Sequence, residues 1–186
     1  MVSYIWTRPR IEAYRASVMK AAIDEVLAGP SRLDTLFFVD GALTAQAPPA
    51  TRATVERIYR GWKPDATAGG YAVQASEAGF ADQIVLMVGF DATSGEVLGI
   101  RVLSSKETPG LGDKIERPAF LDQFRGAAVP LRGVKDAAAK GADRAAIVMI
   151  TGATISSRTM VREINNVIAR WTPLIREFEA QPEASR

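Results

Sequence analysis

Apolar residues recur every three or four positions in two stretches of the chain, which predicts two amphipathic helices. The first is residues 9–27, which begins at a proline and stops before Gly29 and Pro30. The second follows Ser157, and its apolar stripe consists of Met160, Val161, Ile164, Val167, Ile168, Trp171, Leu174, Ile175 and Phe178. Pro173 interrupts this stripe and predicts either a kink or a restart of the helix with Thr172 as its N-cap.

Short apolar, aromatic and β-branched runs between these helices are typical of strands. They cover residues 34–40, 55–62, 71–75, 83–90 and 96–104, with a loop predicted at 41–54 and a hairpin turn at 91–95. Residues 118–125 are predicted as a short helix with Pro118 in its first turn. The pattern predicts one α+β domain over residues 9–178, with an antiparallel sheet packed by the N-terminal and C-terminal helices, and a polar tail at 179–186.

Composition narrows the chemistry that this domain can perform. The chain has 186 residues, 47% hydrophobic and 24% charged, with a formal net charge of +2, which indicates a globular protein and gives no case for nucleic acid. It contains no Cys and no His, which excludes disulfides, thiolate zinc sites, cysteine nucleophiles and imidazole general bases. Carboxylate chemistry, ligand binding or an organic cofactor remain.

The N-terminal residues 1–8 have two interpretations. Tyr4 and Trp6 precede Arg8 and Arg10, a pattern found where a membrane helix leaves the bilayer, so these residues are predicted to be the junction with a membrane anchor upstream of about Ser3. The alternative is a hydrophobic segment that packs on the domain. No stretch of the sequence reaches the roughly 20 apolar residues that a membrane span needs.

Residues 106–114 form the first segment with candidate chemistry. The sequence Lys-Glu-Thr-Pro-Gly-Leu-Gly-Asp-Lys follows a predicted strand and holds Pro109, Gly110 and Gly112 close together. Because glycine lacks a Cβ and proline fixes φ, such a turn is rigid and its backbone can approach a flat ligand. The alternative is a surface loop that joins a strand to a helix.

Residues 151–157 form the second segment, Thr-Gly-Ala-Thr-Ile-Ser-Ser, between an apolar run at 146–150 and the last helix. Small and hydroxyl residues before a helix favour a phosphate site, because the helix N-terminus offers free N–H groups and a positive dipole end. The alternative is capping of the helix by Ser156 or Ser157. The segment is not a P-loop, since it lacks the Gly-Lys-Ser/Thr ending.

Together the two segments resemble the FMN-binding domain found in the G subunit of the Rnf electron-transport complex and in the C subunit of the sodium-pumping NADH:quinone reductase. Residues 107–112 resemble that family's flavin loop, and residues 151–154 its flavin-attachment motif, Ser/Thr-Gly-Ala-Thr. The resemblance implies that FMN is joined through its phosphate to the hydroxyl of Thr154 by a flavin transferase that uses FAD. The implied cofactor-binding residues are Glu107, Thr108, Pro109, Gly110, Leu111, Gly112, Thr151, Gly152, Ala153, Thr154, Ile155, Ser156 and Ser157.

The resemblance further implies an electron-transfer subunit of a membrane-bound ion-translocating oxidoreductase, on the periplasmic side and in contact with other subunits. Such a module needs no catalytic side chain and no metal, because the cofactor supplies the redox chemistry. The Rnf subunit is favoured over the sodium-pump subunit because the chain is short. Trp62 or Tyr71 is expected either to add an aromatic wall to the flavin site or to lie in the core.

Two other functions are weighed against this one. Val148 stands where the family's attachment motif often has an acidic residue, which favours a non-redox module that binds a phosphorylated ligand or acts as a scaffold. A hydrolase that uses Glu107 and Asp113 is disfavoured, because carboxylates in such loops are usually solvated.

Overall fold

A six-stranded antiparallel sheet lies between two long helices in the computed structural model, which describes residues 3–46 and 54–182. The helices are α1 (Ser3–Val26) and α4 (Thr154–Ala180). The strand order in the sheet is β2-β1-β3-β4-β5-β6. The strands are β1 (Arg32–Val39), β2 (Ala42–Thr44), β3 (Arg57–Trp62), β4 (Ala68–Ala78), β5 (Gln83–Phe90) and β6 (Val97–Ser104).

The two faces of the sheet bury different helices because side chains alternate along each strand. On β5, Leu86, Val88 and Phe90 belong to the main core with α4, whereas Met87 packs on the other face with Val26 and its neighbours in α1. The apolar stripe of α4, from Met160 to Phe178, is buried in the main core, apart from Leu174, which is partly buried against it. Burial of this stripe holds α4 across the sheet.

Smaller elements connect β6 to α4. They are a 3-10 turn (Gly112–Glu116), α2 (Pro118–Leu121), β7 (Arg132–Val134), α3 (Ala137–Lys140) and β8 (Ala146–Val148). Strands β7 and β8 pair in parallel, and β8 leads into the start of α4. This path brings the loop after β6 and the beginning of α4 to the same end of the sheet.

The predicted α+β architecture and most of its strands are confirmed. Strand β5 has the predicted bounds, and Gly95 closes the hairpin turn with φ +73°. Residues 42–44 are a strand rather than part of a loop, because they pair with β1 across a tight turn. Residues 47–53 of the predicted loop lie outside the described residues.

The helices differ more from their predictions. Helix α1 begins at Ser3, six residues before the predicted start, and contains Pro9. Helix α2 is a single turn, although Pro118 is its first residue as predicted. Helix α4 continues through Pro173, so the predicted restart at Thr172 is wrong. The buried stripe on both sides of Pro173 outweighs the one backbone hydrogen bond that the proline removes.

The chain ends are described only in part. Residues 3–8 belong to α1, and residues 1–2 lie outside the described part. None of the described helices combines the length and apolar character that a membrane span requires. At the other end, α4 includes residues 179 and 180 of the predicted tail, and 183–186 are not described.

Candidate functional site

The two segments singled out in the sequence form the walls of one cleft of about 330 Å³. The hydrogen bond between Glu107 and Ser156, which are 49 positions apart, joins them directly. Leu111 also lies against the second segment, since a Cβ at Gly152 would be 3.2 Å from its Cδ2 atom. The lining residues are Phe80, Glu107, Thr108, Leu111, Gly112, Gly152, Ala153, Thr154, Ile155 and Ser156.

The first wall is a tight turn closed around one carbonyl group. The carbonyl oxygen of Thr108 accepts from the N–H groups of Leu111 (3.1 Å), Gly112 (2.9 Å) and Asp113 (3.3 Å). Gly110 has φ +77°, a conformation that other residues rarely adopt. The shape of the turn is therefore set by its backbone hydrogen bonds and by the positive φ of Gly110, as its Pro and Gly content predicts.

The second wall is the N-terminus of α4. The helix begins at Thr154 after Ala153, and no side chain in the described ranges caps it. Within the described part of the chain, the N–H groups of Thr154, Ile155 and Ser156 have no acceptor, whereas Ser157 donates to the carbonyl of Ala153 (3.0 Å). Three free donors and the positive end of the helix dipole point out of this terminus, which is the arrangement that binds anionic groups.

The hydroxyls of the second segment fall into two classes. Thr151 and Thr154 are exposed, and their hydroxyls make no hydrogen bond to any described residue. Ser156 and Ser157 are buried. Because the helix begins before them, neither serine is an N-cap, and that interpretation is wrong.

Both serines instead tie the start of α4 to its surroundings. The hydroxyl of Ser157 donates to the carbonyl of Ala153 (2.9 Å) and accepts from the N–H of Ile150 (3.2 Å). The hydroxyl of Ser156 donates to Oε2 of Glu107 (2.5 Å). Thr154 is therefore the free hydroxyl at the first position of the helix, and the serines position the turn that presents it.

Glu107 lines the cleft and is only 6% exposed, so we call its position the floor of the cleft. Its Oε1 atom accepts from the backbone N–H groups of Phe80 (2.9 Å) and Ala81 (3.0 Å). Burial alone would raise the pKa of this carboxyl, but the hydrogen bonds from Ser156, Ala81 and Phe80 outweigh it and hold the pKa below its ordinary value. The ionised carboxylate has no proton to give and its oxygens already accept from three neutral donors, so Glu107 is poorly suited to be the general acid of a hydrolase.

Three apolar side chains form the open rim of the cleft. Phe80, Leu111 and Ile155 are 66%, 46% and 52% exposed, and together with Tyr14 they are the exposed large hydrophobic residues of the described chain. Exposed apolar groups gathered around one cleft are characteristic of a ligand site.

Phe80 is a site residue that sequence reasoning missed. It follows Gly79 in the turn between β4 and β5, where its only signal is a large aromatic residue in a polar connection. Pro109 and Gly110 are exposed in the same turn as Thr108 but do not line the cleft.

Trp62 and Tyr71 lie elsewhere. The indole N–H of Trp62 donates to Asp34 (2.7 Å), and the hydroxyl of Tyr71 donates to Glu179 (2.6 Å) near the C-terminus of α4. Glu179 is 25 residues from Thr154, which is about 38 Å along a helix. The suggestion that either ring adds a wall to the cleft is wrong.

Val148 is the last residue of β8 and does not line the cleft. Its N–H donates to the side-chain oxygen of Gln123 (2.8 Å), and its carbonyl accepts from the amide nitrogen of the same residue (3.2 Å). The departure from the family motif therefore lies in a supporting strand.

Comparison with known proteins places this cleft in a family. The model of the FMN-binding domain matches residues 79–169, which include both walls. The G subunit of the ion-translocating oxidoreductase complex of Haemophilus influenzae is 30% identical over 165 residues, covering 86% of this chain and 75% of that protein. The corresponding protein of Pseudoalteromonas atlantica is 30% identical over 169 residues, covering 89% and 76%.

A solved structure shows the same fold. The crystal structure of Shewanella oneidensis NqrC superposes with a TM-score of 0.67 at 17% identity, covering 84% of this chain and 88% of that one. The sequence matches extend across both motifs and most of the chain, and the fold agrees. The chain therefore belongs to the FMN-binding domain family, together with the G subunits of ion-translocating oxidoreductase complexes.

Proposed function

We propose that this protein is the FMN-carrying electron-transfer subunit of a membrane-bound ion-translocating oxidoreductase, with FMN attached to Thr154. The observation that carries the proposal is the single cleft formed by the two motif segments, with the free hydroxyl of Thr154 on its rim. Bound FMN supplies the redox chemistry, and the chain holds and orients it.

The N-terminus of α4 fits the phosphate of FMN. The free N–H groups of Thr154, Ile155 and Ser156 supply donors, and the helix dipole stabilises the negative charge. Thr151 and Gly152 form the exposed turn beside this position. No Lys or Arg among the described residues lines the cleft, so backbone groups bind the phosphate.

The remainder of the cleft fits a flat, mainly apolar ring. Phe80, Leu111 and Ile155 offer apolar contact, and the turn from Thr108 to Gly112 brings backbone close to it. Ala153 adds a small side chain that leaves room at the junction of the two walls. We assign the ring to this rim because apolar surface there is otherwise left in water.

Attachment requires one phosphoester bond. The hydroxyl oxygen of Thr154 attacks the FMN phosphorus of FAD, the bond between the two phosphates breaks, AMP leaves and the hydroxyl proton passes to solvent. A flavin transferase performs this step, and the exposure of Thr154 leaves its hydroxyl accessible to such an enzyme. The covalent bond retains a cofactor that an open cleft would otherwise release.

The membrane setting is proposed from the relatives. The two bacterial relatives compared with this chain are components of ion-translocating complexes, which supports other subunits as electron-transfer partners. We place the domain on the periplasmic face of the membrane that holds this complex.

The test of the attachment site uses protein co-expressed with a flavin transferase. We expect the denatured wild-type chain to fluoresce on a gel, Thr154→Ala to lose this signal entirely, and Thr154→Ser to keep part of it. Thr151→Ala is the matched control, because Thr151 is also an exposed threonine of the same turn, and it should retain the fluorescence.

The same preparation separates the proposal from its alternative. Wild-type protein without fluorescence after denaturation but yellow in the native state would contradict covalent attachment only. A colourless native protein would contradict flavin binding and favour the non-redox module, with Val148→Asp as the variant that tests whether the departure in the motif prevents flavin transfer.

A further inference from the structure

Glu107 carries a buried negative charge beside the cleft that the flavin ring occupies in the proposed function. In the described residues, neither Lys nor Arg pairs with its carboxylate. The neighbouring Lys106 pairs with Asp82 instead (3.1 Å). Its hydrogen bonds come from neutral donors, among them Phe80, Ala81 and Ser156. Among the residues that the structure describes, therefore, no cation balances the negative charge that Glu107 brings to the cleft.

Two glycines let the backbone approach this carboxylate closely. A Cβ at Gly79 would lie 2.4 Å from Oε1, and a Cβ at Gly112 would lie 2.9 Å from Oε2. The backbones of two turns thus close directly over the carboxylate, and any other residue at either position would displace it. Burying an ionised group costs more desolvation free energy than burying an apolar side chain at the same place. Stability alone therefore does not explain why a carboxylate is found here.

We propose that Glu107 sets the reduction potential of the bound flavin, keeping it low, in addition to joining the two walls. Reduction adds electrons to the ring, and a fixed negative charge at the cleft floor opposes that addition by Coulomb repulsion. Because the carboxylate is buried, water screens this repulsion little. The inference rests on the proposed function, since it requires a flavin in this cleft.

The test is a redox titration of flavin-loaded protein followed by visible absorbance. Glu107→Gln keeps the shape of the side chain and an oxygen acceptor for the N–H groups of Phe80 and Ala81, but it removes the charge. We expect the midpoint potential to rise. Glu177→Gln is the matched control, because it makes the same charge change on the exposed surface near the far end of α4, and it should leave the potential unchanged.

Ser156→Ala separates the charge of Glu107 from its structural role. This variant breaks the same contact between the two walls but keeps the negative charge of Glu107. The carboxylate only loses one neutral hydrogen-bond donor. If the charge acts on the flavin, the potential should fall or stay low in Ser156→Ala and rise in Glu107→Gln. If Glu107 only holds the walls together, both variants should shift the potential in the same direction.

The outcomes are distinct. An unchanged or lower potential in Glu107→Gln, or parallel shifts in the two variants, would overturn the inference while the proposed function stands. Wild-type protein that binds no flavin would overturn both. If Glu107→Gln does not fold, Ser156→Ala decides: a potential that falls or stays low supports the role of the charge, and a raised potential overturns it.

Discussion

Glu163 is buried in α4 without a hydrogen-bond partner for either carboxylate oxygen in the described residues. Burial, reinforced by the nearby charge of Glu77 and opposed by Arg162, raises its pKa to about 8. The folded protein therefore keeps this group protonated at pH 7, whereas the unfolded chain ionises it. Folding then becomes less favourable as pH rises from the unfolded pKa, near 4.5, to the folded pKa.

Replacing Glu163 by Gln is expected to stabilise the protein. At about 1.4 kcal/mol per pH unit, the gain is near zero at pH 4.5 and reaches at most about 3 kcal/mol at pH 7. Urea unfolding of both proteins at pH 5, 7 and 9 measures the difference. Exposed Glu177→Gln serves as the control, and a difference between wild type and Glu163→Gln that does not change with pH would refute the assignment.

At the scale of elements, the loop after β6 has a shape set by Gly110. Its φ of +77° disfavours a β-branched residue by about 1–2 kcal/mol, although a Cβ there would meet nothing within 4 Å. We expect Gly110→Val to distort the turn and weaken the visible absorbance of bound flavin, with a loss of only a few degrees in melting temperature.

Gly141→Val is the matched control for this loop. Gly141 also has positive φ (+50°) and open space around its Cβ position, but it lies after α3 and away from the cleft. It should lose stability without a change in the flavin spectrum. An unaltered spectrum in Gly110→Val would mean that the loop is only a connector.

At the scale of the whole molecule, Arg60 fastens the C-terminal end of α4 to the sheet. The guanidinium is buried, donates to Glu179 (2.7 Å) and Asp34 (3.1 Å), and stacks 4.3 Å from the centre of the Trp62 ring. Its removal takes away the buried cation that contacts both partly buried carboxylates. Because such pairs are costly to break, we expect Arg60→Met to lose about 2–3 kcal/mol of unfolding free energy.

This loss should leave the flavin site intact, since Thr154 lies at the other end of α4. In-gel fluorescence of denatured Arg60→Met should equal that of wild type, while denaturant unfolding shows the destabilisation. Arg32→Met is the comparison, because exposed Arg32 also contacts Asp34 (3.3 Å) and such pairs contribute about 1 kcal/mol or less. Equal losses in the two variants would contradict the role of burial.

Much of the molecule follows from the sequence alone. The helical period of residues 160–178 predicts α4, and the apolar run at 83–90 predicts β5, because burial of one face imposes a period on the residues that form it. The two motif segments and the place of Thr154 beside a helix N-terminus also depend on local composition. These features are local, so a linear pattern is sufficient to predict them.

Only the tertiary structure decided which distant residues meet. A glutamate in a polar loop has the same sequence pattern whether it is solvated or buried, so the bond between Glu107 and Ser156 has no local signal. The same holds for Phe80, which reaches the cleft from another turn, and for Tyr71, which the sheet carries to the opposite end of α4. Periodicity determines which face of an element is buried, but the position of one element against another depends on packing over the whole chain.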